Sequence, residues 1–388
     1  MDHITALRPG LVGKLNERQV LRLIQARGPV SRAEVARLSG LSPPTVSKAV
    51  ASLLRAGLLE ETATSDNARG RPAVNLRLAT ERVQVIGVVI DADHCEVVSA
   101  GLDGVLHADA RSFPTPTTYP KLLDAVERQC RAVVGKDGVS TLGVGVSVPG
   151  LIDDRLGRVV LSPNLPLTNG QTPAVDLGAR LGVAGTLLQE SHALCLAERH
   201  YGQAVGVDDF AVLDFGVGVG LGAMSGGRLL TGHSGLAGEI GHVTVVTDGG
   251  HACGCGNTGC LETECNDAAF ARRVGRRLNR EVSFDEAVDL ARSGRSPLAK
   301  ELHDTAVYLA VAVAAVVNLL NPAAVFLHTR LFEADDGLFD KVVELTRRRA
   351  LPPNFADCRI TRAKGHKRQG AVAAAVQHLT NAVADETG

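Results

Sequence analysis

The chain has 388 residues, 45% of them hydrophobic, which is more than one ordinary core can hold. Two or three folded domains are therefore expected, and an unstructured or fibrous chain is excluded. A formal net charge of -1 excludes a molecule coated with positive charge, so any basic surface must be local.

Residues 1–80 supply such a surface, with twelve Lys or Arg against six Asp or Glu. Eight cysteines and no secretory signal point to a reducing cytoplasm and not to a disulfide framework. The longest apolar run, residues 306–317, is too short to span a bilayer and reads as a buried core helix, so no membrane is expected.

Residues 16–24 read as a helix, with Val20, Leu21, Leu23 and Ile24 apolar, broken by Gly28-Pro29. Ser31-x-x-Glu34 is a capping box that opens a second helix. After the turn Ser39-Gly40-Leu41-Ser42, a third helix begins at Pro43-Pro44-Thr45 and runs to about Arg55, proline being tolerated in a first turn. This is helix-turn-helix spacing. It places Pro44, Thr45, Ser47 and Lys48 where a recognition helix meets bases and phosphates. The polar stretch to Arg69-Gly70-Arg71-Pro72 and the alternation of Val74, Leu76 and Leu78 read as a wing, with Arg69 and Arg71 suited to phosphate or minor-groove contacts. Double-stranded DNA is the expected partner of residues 1–80.

From Val83 to Leu106 the pattern suggests paired strands with tight turns, and a second glycine-marked pair runs from Phe210 to Leu230. This weak duplication suits two similar α/β lobes facing a cleft. Between the pairs lie an amphipathic helix (residues 119–134), a strand (142–148) and a turn at 149–153. Further helices are expected at 268–278, 302–320 and 370–379, and a strand at 325–328.

Residues 238–262 read G-E-I-G-H-V-T-V-V-T-D-G-G-H-A-C-G-C-G-N-T-G-C-L-E. Cys253, Cys255 and Cys260 have the softness and spacing of zinc ligands, and a closed structural site needs one nitrogen more. His242 is the expected fourth ligand, with His251 as its rival.

The signature G-E-I-G-H followed by C-x-C-G-x-x-G-C-x-E resembles the ROK family of sugar kinases and transcriptional repressors. The resemblance implies two ribonuclease-H-like (actin/hexokinase-like) lobes, one structural zinc per chain on His242, Cys253, Cys255 and Cys260, and a sugar facing Glu239 and Glu262, with His242 between them. Ser162-Pro163-Asn164-Leu165-Pro166 is similar to the family segment whose asparagine bonds a sugar hydroxyl, so Asn164 joins the pocket, although turn chemistry beside prolines explains it as well.

The kinase motifs are degraded. The first phosphate turn, D-x-G-G-T in the family, aligns with Val89-Ile90-Asp91-Ala92-Asp93, whose two carboxylates would oppose phosphate. The G-T-G turn has become Gly216-Val217-Gly218, and a glycine pair near adenosine has become His328-Thr329. The catalytic aspartate of the E-N-D-A motif aligns with Glu190, preceded by Gln189; both side chains are one methylene longer, and a base displaced by about 1 Å can lose on the order of a hundredfold in rate.

The expected molecule is a non-enzymatic, cytoplasmic transcriptional regulator, a repressor of carbohydrate-related genes. A winged helix-turn-helix (1–80) precedes a first lobe (81–200, joined by a C-terminal helix at 370–388) and a second lobe (201–369) with the zinc site and an oligomer interface. The effector, a sugar or sugar derivative, would contact Asn164, Glu190, Glu239, His242 and Glu262, and a homodimer or homotetramer would bind an inverted-repeat operator. The alternatives are an active sugar kinase with an added DNA-binding domain, and a regulator that no longer binds sugar.

Overall fold

The computed structural model describes residues 9–63, 74–108, 110–134, 138–294 and 297–382. Helix α1 (Pro9–Arg27) begins earlier than its apolar pattern suggests and stops where Gly28 takes a φ of 73°. Strand β1 (Val30–Ser31) leads into α2 (Arg32–Ser39), whose N-cap Ser31 accepts a hydrogen bond from the Glu34 amide at 3.2 Å. Helix α3 (Pro43–Arg55) starts after N-cap Ser42, with both prolines in its first turn. Strands β2 (Leu59–Ala63) and β3 (Val74–Leu78) pair antiparallel as a wing, and β1 adds to the other edge of β3. The sequence pattern gives no sign of β1, which is only two residues long. The wing residues Arg69 and Arg71 lie outside the described residues.

The next elements are β4 (Val83–Ile90), β5 (His94–Ala100), β6 (Arg111–Pro114), α4 (Tyr119–Arg131), β7 (Ser140–Val148), β8 (Leu151–Asp153), β9 (Arg158–Leu161), α5 (Pro173–Leu181), β10 (Ala184–Gln189) and α6 (Glu190–Tyr201). Strands β8 and β9 form a hairpin where the sequence pattern shows only a turn at 149–153. The chain continues with β11 (Phe210–Phe215), β12 (Val219–Ser225), β13 (Arg228–Leu229), α7 (Glu262–Cys265), α8 (Asp267–Leu278), α9 (Phe284–Arg292), α10 (Ala299–Leu320), β14 (Ala324–His328), α11 (Leu338–Arg347), α12 (Pro352–Ala356), β15 (Arg359–Arg362) and α13 (Lys367–Ala382).

Among the described residues, two five-stranded sheets have the orders β10-β7-β4-β5-β6 and β13-β12-β11-β14-β15. The plan is the same in both. The first strand is central, its hairpin partners extend one edge, and two later strands extend the other. The glycine-marked strand pairs in the sequence are the most recognisable part of this shared plan, and the topology is ribonuclease-H-like in each sheet.

The second sheet is buried on both faces, which explains the nearly continuous apolar run of β11. Ala211, Leu213 and Phe215 pack with α8, α10 and α11, whereas Phe210 and Val212 pack with Leu194 and Cys195 of α6. Helix α10, with 22 residues, is long and apolar enough to cross a membrane by composition alone, but Ala306, Leu309, Val313 and Val317 are fully buried in this core.

The chain divides into two compact units. One holds Met1–Val146, Pro173–Leu187 and Ala371–Gly388, and the other holds Ser147–Thr172 and Leu188–Gly370. Compactness therefore cuts the chain elsewhere than the divisions expected from the sequence at 80 and 200, because crossovers to later strands return the chain to a sheet begun earlier. In the first unit, Val20, Ile24, Val35, Val50 and Leu53 of α1–α3 share one continuous core with Val85 and Val98 of β4 and β5, and with Val372, Ala375 and Val376 of α13.

Candidate metal centre, effector pocket and DNA-facing helix

A one-turn 3-10 helix, Ile240–His242, presents His242, and bridges between Thr244 and Cys260 and between Ala252 and Thr258 fold the cysteine segment back onto it. Gly259 takes a φ of 72° and packs against the backbone of Val246, where a Cβ would overlap. The result brings His242, Cys253, Cys255 and Cys260 together, with their ligand atoms all within 4.8 Å of one another.

His242 Nδ1 lies 3.5 Å from Cys253 Sγ, and Cys255 Sγ lies 3.8 Å from Cys260 Sγ. A tetrahedral metal with sulfur bonds of about 2.3 Å and nitrogen bonds of about 2.0–2.1 Å has sulfur–sulfur edges of about 3.8 Å and sulfur–nitrogen edges of about 3.5 Å. The donor set therefore fits a metal ion of zinc's size and softness. His251 stands elsewhere, with Nε2 at 3.2 Å from the Arg276 guanidinium.

His242 turns its other nitrogen, Nε2, toward Glu239 Oε2 at 3.7 Å, the arrangement by which a carboxylate orients a ligating imidazole. From there a chain of polar contacts runs away from the cysteines. Gln189 Nε2 donates to Glu239 Oε1 at 2.7 Å, and Gln189 occupies the position just before α6, of which Glu190 is the first residue. Lys367 Nζ lies 2.5 Å from Glu190 Oε1 and 3.4 Å from Asp214 Oδ2, and Asp214 Oδ1 meets His328 Nδ1 at 2.7 Å. Burial raises the pKa of Glu239. Burial alone would raise that of Asp214 too, but Lys367 and His328 outweigh it and hold the carboxyl at about 2.

Glu262, nearly buried at the start of α7, accepts from the Val219 amide at 3.0 Å. A Cβ built on Gly218 would lie 3.1 Å from both Asn164 Nδ2 and Glu262 Oε2, so these two side chains converge over a glycine. The structure thus groups Asn164 with Glu262, and Glu239 with His242. It attaches Glu190 to Lys367, which also faces Asp214; sequence reasoning singles out neither Lys367 nor Asp214. Asp214 carries a signal, being a lone carboxylate in the buried run A-V-L-D-F. Lys367 carries none, because its partners are 177 and 153 residues away in sequence.

In α3, Pro44, Ser47 and Lys48 are exposed, and the same face continues through Ala51 and Arg55, which sequence reasoning passes over. Thr45 is half-buried, and its hydroxyl hydrogen-bonds the cap hydroxyl of Ser42 at 2.8 Å. In the same unit, Arg32 pairs with Glu61 at 2.6 Å.

Comparison with known proteins places both parts. The sequence model of the ROK family matches residues 85–380, and that of the MarR family matches residues 14–70. The chain is 28% identical to the DNA-binding transcriptional dual regulator NagC of Escherichia coli K12 over 88% of this chain and 86% of that protein. It is 26% identical to the xylose repressor of Bacillus spizizenii over 88% of each. The crystal structure of a ROK family transcriptional regulator, a homologue of the E. coli MLC protein, superimposes with a TM-score of 0.84 at 25% identity, covering 96% of this chain and 98% of that one. With a winged helix-turn-helix of MarR type ahead of two ribonuclease-H-like sheets, the chain belongs to the ROK family.

Proposed function

We propose that this chain is a sequence-specific DNA-binding transcriptional regulator of carbohydrate-related genes, a repressor released or modulated by a sugar or sugar derivative. The observation that carries the reading is the exposed α3 face of Pro44, Ser47 and Lys48 on the same chain as carboxylate, amide and imidazole groups around Gly218 and His242. The relatives named above are transcriptional regulators, which supports it. Residues 1–80 serve as the DNA module, 81–200 with 370–388 as the first lobe, and 201–369 as the second lobe.

Zinc is the metal we assign to His242, Cys253, Cys255 and Cys260, in a structural role: four protein ligands leave no open position for substrate. The effector contacts Asn164, Glu239, His242 and Glu262, with Glu190 closing the pocket, since short charge-assisted hydrogen bonds suit a polyol. Kinase activity is absent in this reading. Glu190, at the base position, is ion-paired to Lys367, and Asp91 and Asp93 oppose a phosphate in the turn that the family uses to hold one. The protein acts in the cytoplasm as a homodimer or homotetramer, because pairing two small modules on an inverted repeat doubles the bases read.

The test is selection of duplex DNA from a random library by the full-length protein, followed by titration of sugars against the complex. An enriched inverted repeat, with binding weakened by a sugar, is the expected result. Failure to enrich any sequence contradicts the reading.

A further inference from the structure

Both ends of α6 hold the entry to α13. At its start, Glu190 Oε1 pairs with Lys367 Nζ at 2.5 Å. Near its end, the buried Glu198 accepts from the Gly365 amide at 2.6 Å and from the Gln203 amide at 2.7 Å. Between these contacts Gly370 approaches α6 so closely that a Cβ there would overlap the Ala193 backbone. Lys367 is also the first residue of α13, and later residues of that same helix, Val372, Ala375 and Val376, lie in the core that contains Val20, Ile24, Val35, Val46, Val50 and Leu53 of the DNA module.

We propose that Lys367 couples the effector pocket to the DNA-binding helices. The inference rests on Glu190 being an effector contact. An effector hydroxyl that hydrogen-bonds Glu190 competes with the Lys367 ammonium for the same carboxylate, and the competing partners give α13 two arrangements of its first turn. Gln189, which donates to Glu239 beside His242, directly precedes Glu190 in the chain, so the rest of the pocket adjoins the same bond. Asp214, the second carboxylate facing Lys367, holds the ammonium when Glu190 turns to the effector. Lys367 is in this sense a positioning residue: it touches the pocket through Glu190 and the DNA module through its own helix.

The experiment measures the affinity of the full-length protein for the duplex that the wild type enriches from random DNA, at fixed salt, for wild type, Lys367→Met, Lys367→Arg, Glu190→Gln and the Lys367→Met/Glu190→Gln pair. Zinc content and circular dichroism report folding. We expect Lys367→Met and Glu190→Gln each to shift the affinity by roughly tenfold in the same direction, the pair to shift it no further than either alone, and Lys367→Arg to restore it. A purely structural role would give additive losses without rescue. Binding by Lys367→Met within about twofold of wild type overturns the coupling; should that variant fail to fold, unchanged binding by Glu190→Gln does so. No sugar enters this arm. A separate titration with D-xylose and N-acetyl-D-glucosamine, on wild type and Glu262→Ala, decides the pocket itself, so the two readings fail independently.

Discussion

At the scale of single residues, the candidate metal centre was the most legible part of the molecule. Three cysteines within eight residues and a histidine eleven before the first of them leave few other uses for such soft ligands, and the fold gathers the four with their ligand atoms within 4.8 Å of one another. Cys253→Ser and Cys260→Ser should each lose stoichiometric zinc and lower the melting temperature by more than about 5 °C, the effect of a few kcal/mol in a domain of this size. Metal analysis beside calorimetry checks this, and full zinc retention would count against it. Gly218 gives a second test, because its only signal is the valine that replaces threonine in the neighbouring position. Gly218→Val should weaken any effector by at least about tenfold through crowding Asn164 and Glu262, while leaving zinc bound. His192, buried on α6, has a pKa depressed to about 4 by burial, and its Nε2 has no hydrogen-bond partner among the described residues. Because the folded pKa lies below the unfolded value of about 6.5, the unfolded chain binds the proton first, and stability falls as pH drops from about 6.5 to 4, by up to about 3 kcal/mol. Asp267, pushed up to about 7 by burial, acts in the opposite sense, since its folded form prefers the proton. A His192→Asn variant should show a flatter fall of melting temperature across that window; an unchanged slope would contradict the assignment.

At the scale of elements, legibility followed local pattern. Helix α3 begins and ends where Ser42-Pro43-Pro44 and Gly57 indicate, because capping and proline geometry are written in adjacent residues. Strands β1, β6, β8 and β15 were not readable. Each is four residues or fewer, and each exists because a partner strand supplies its hydrogen bonds, which is a long-range fact. The Lys367–Glu190–Asp214 contact was invisible for the same reason. For the DNA-facing helix, Ser47→Ala and Lys48→Ala should behave differently. The first should alter base preference, whereas the second, like Arg69→Ala/Arg71→Ala in the wing, should weaken binding to every sequence and reduce the salt slope by about 0.9 for each phosphate no longer neutralised. Binding across a salt series separates them, and an unchanged slope in all three proteins would place the DNA elsewhere.

At the scale of the whole molecule, two inherited parts, a winged helix-turn-helix and a sugar-kinase-like pair of sheets, serve one function. No turnover of ATP with common hexoses is expected from the purified protein, and turnover at ordinary kinase rates, about 1–100 per second, would restore the enzyme reading. The core shared by α1–α3, β4, β5 and α13 means that the DNA module is not a loosely tethered appendage, so a change in the register of α13 reaches it through packed side chains. The most direct measurement is the affinity of the full-length protein for its enriched duplex beside a scrambled duplex of equal length, with Ser47→Ala/Lys48→Ala as the comparison. The wild type should prefer the enriched duplex by a factor of about a thousand, and the double substitution should remove most of this preference. Equal binding of both duplexes by the wild type would contradict the assignment.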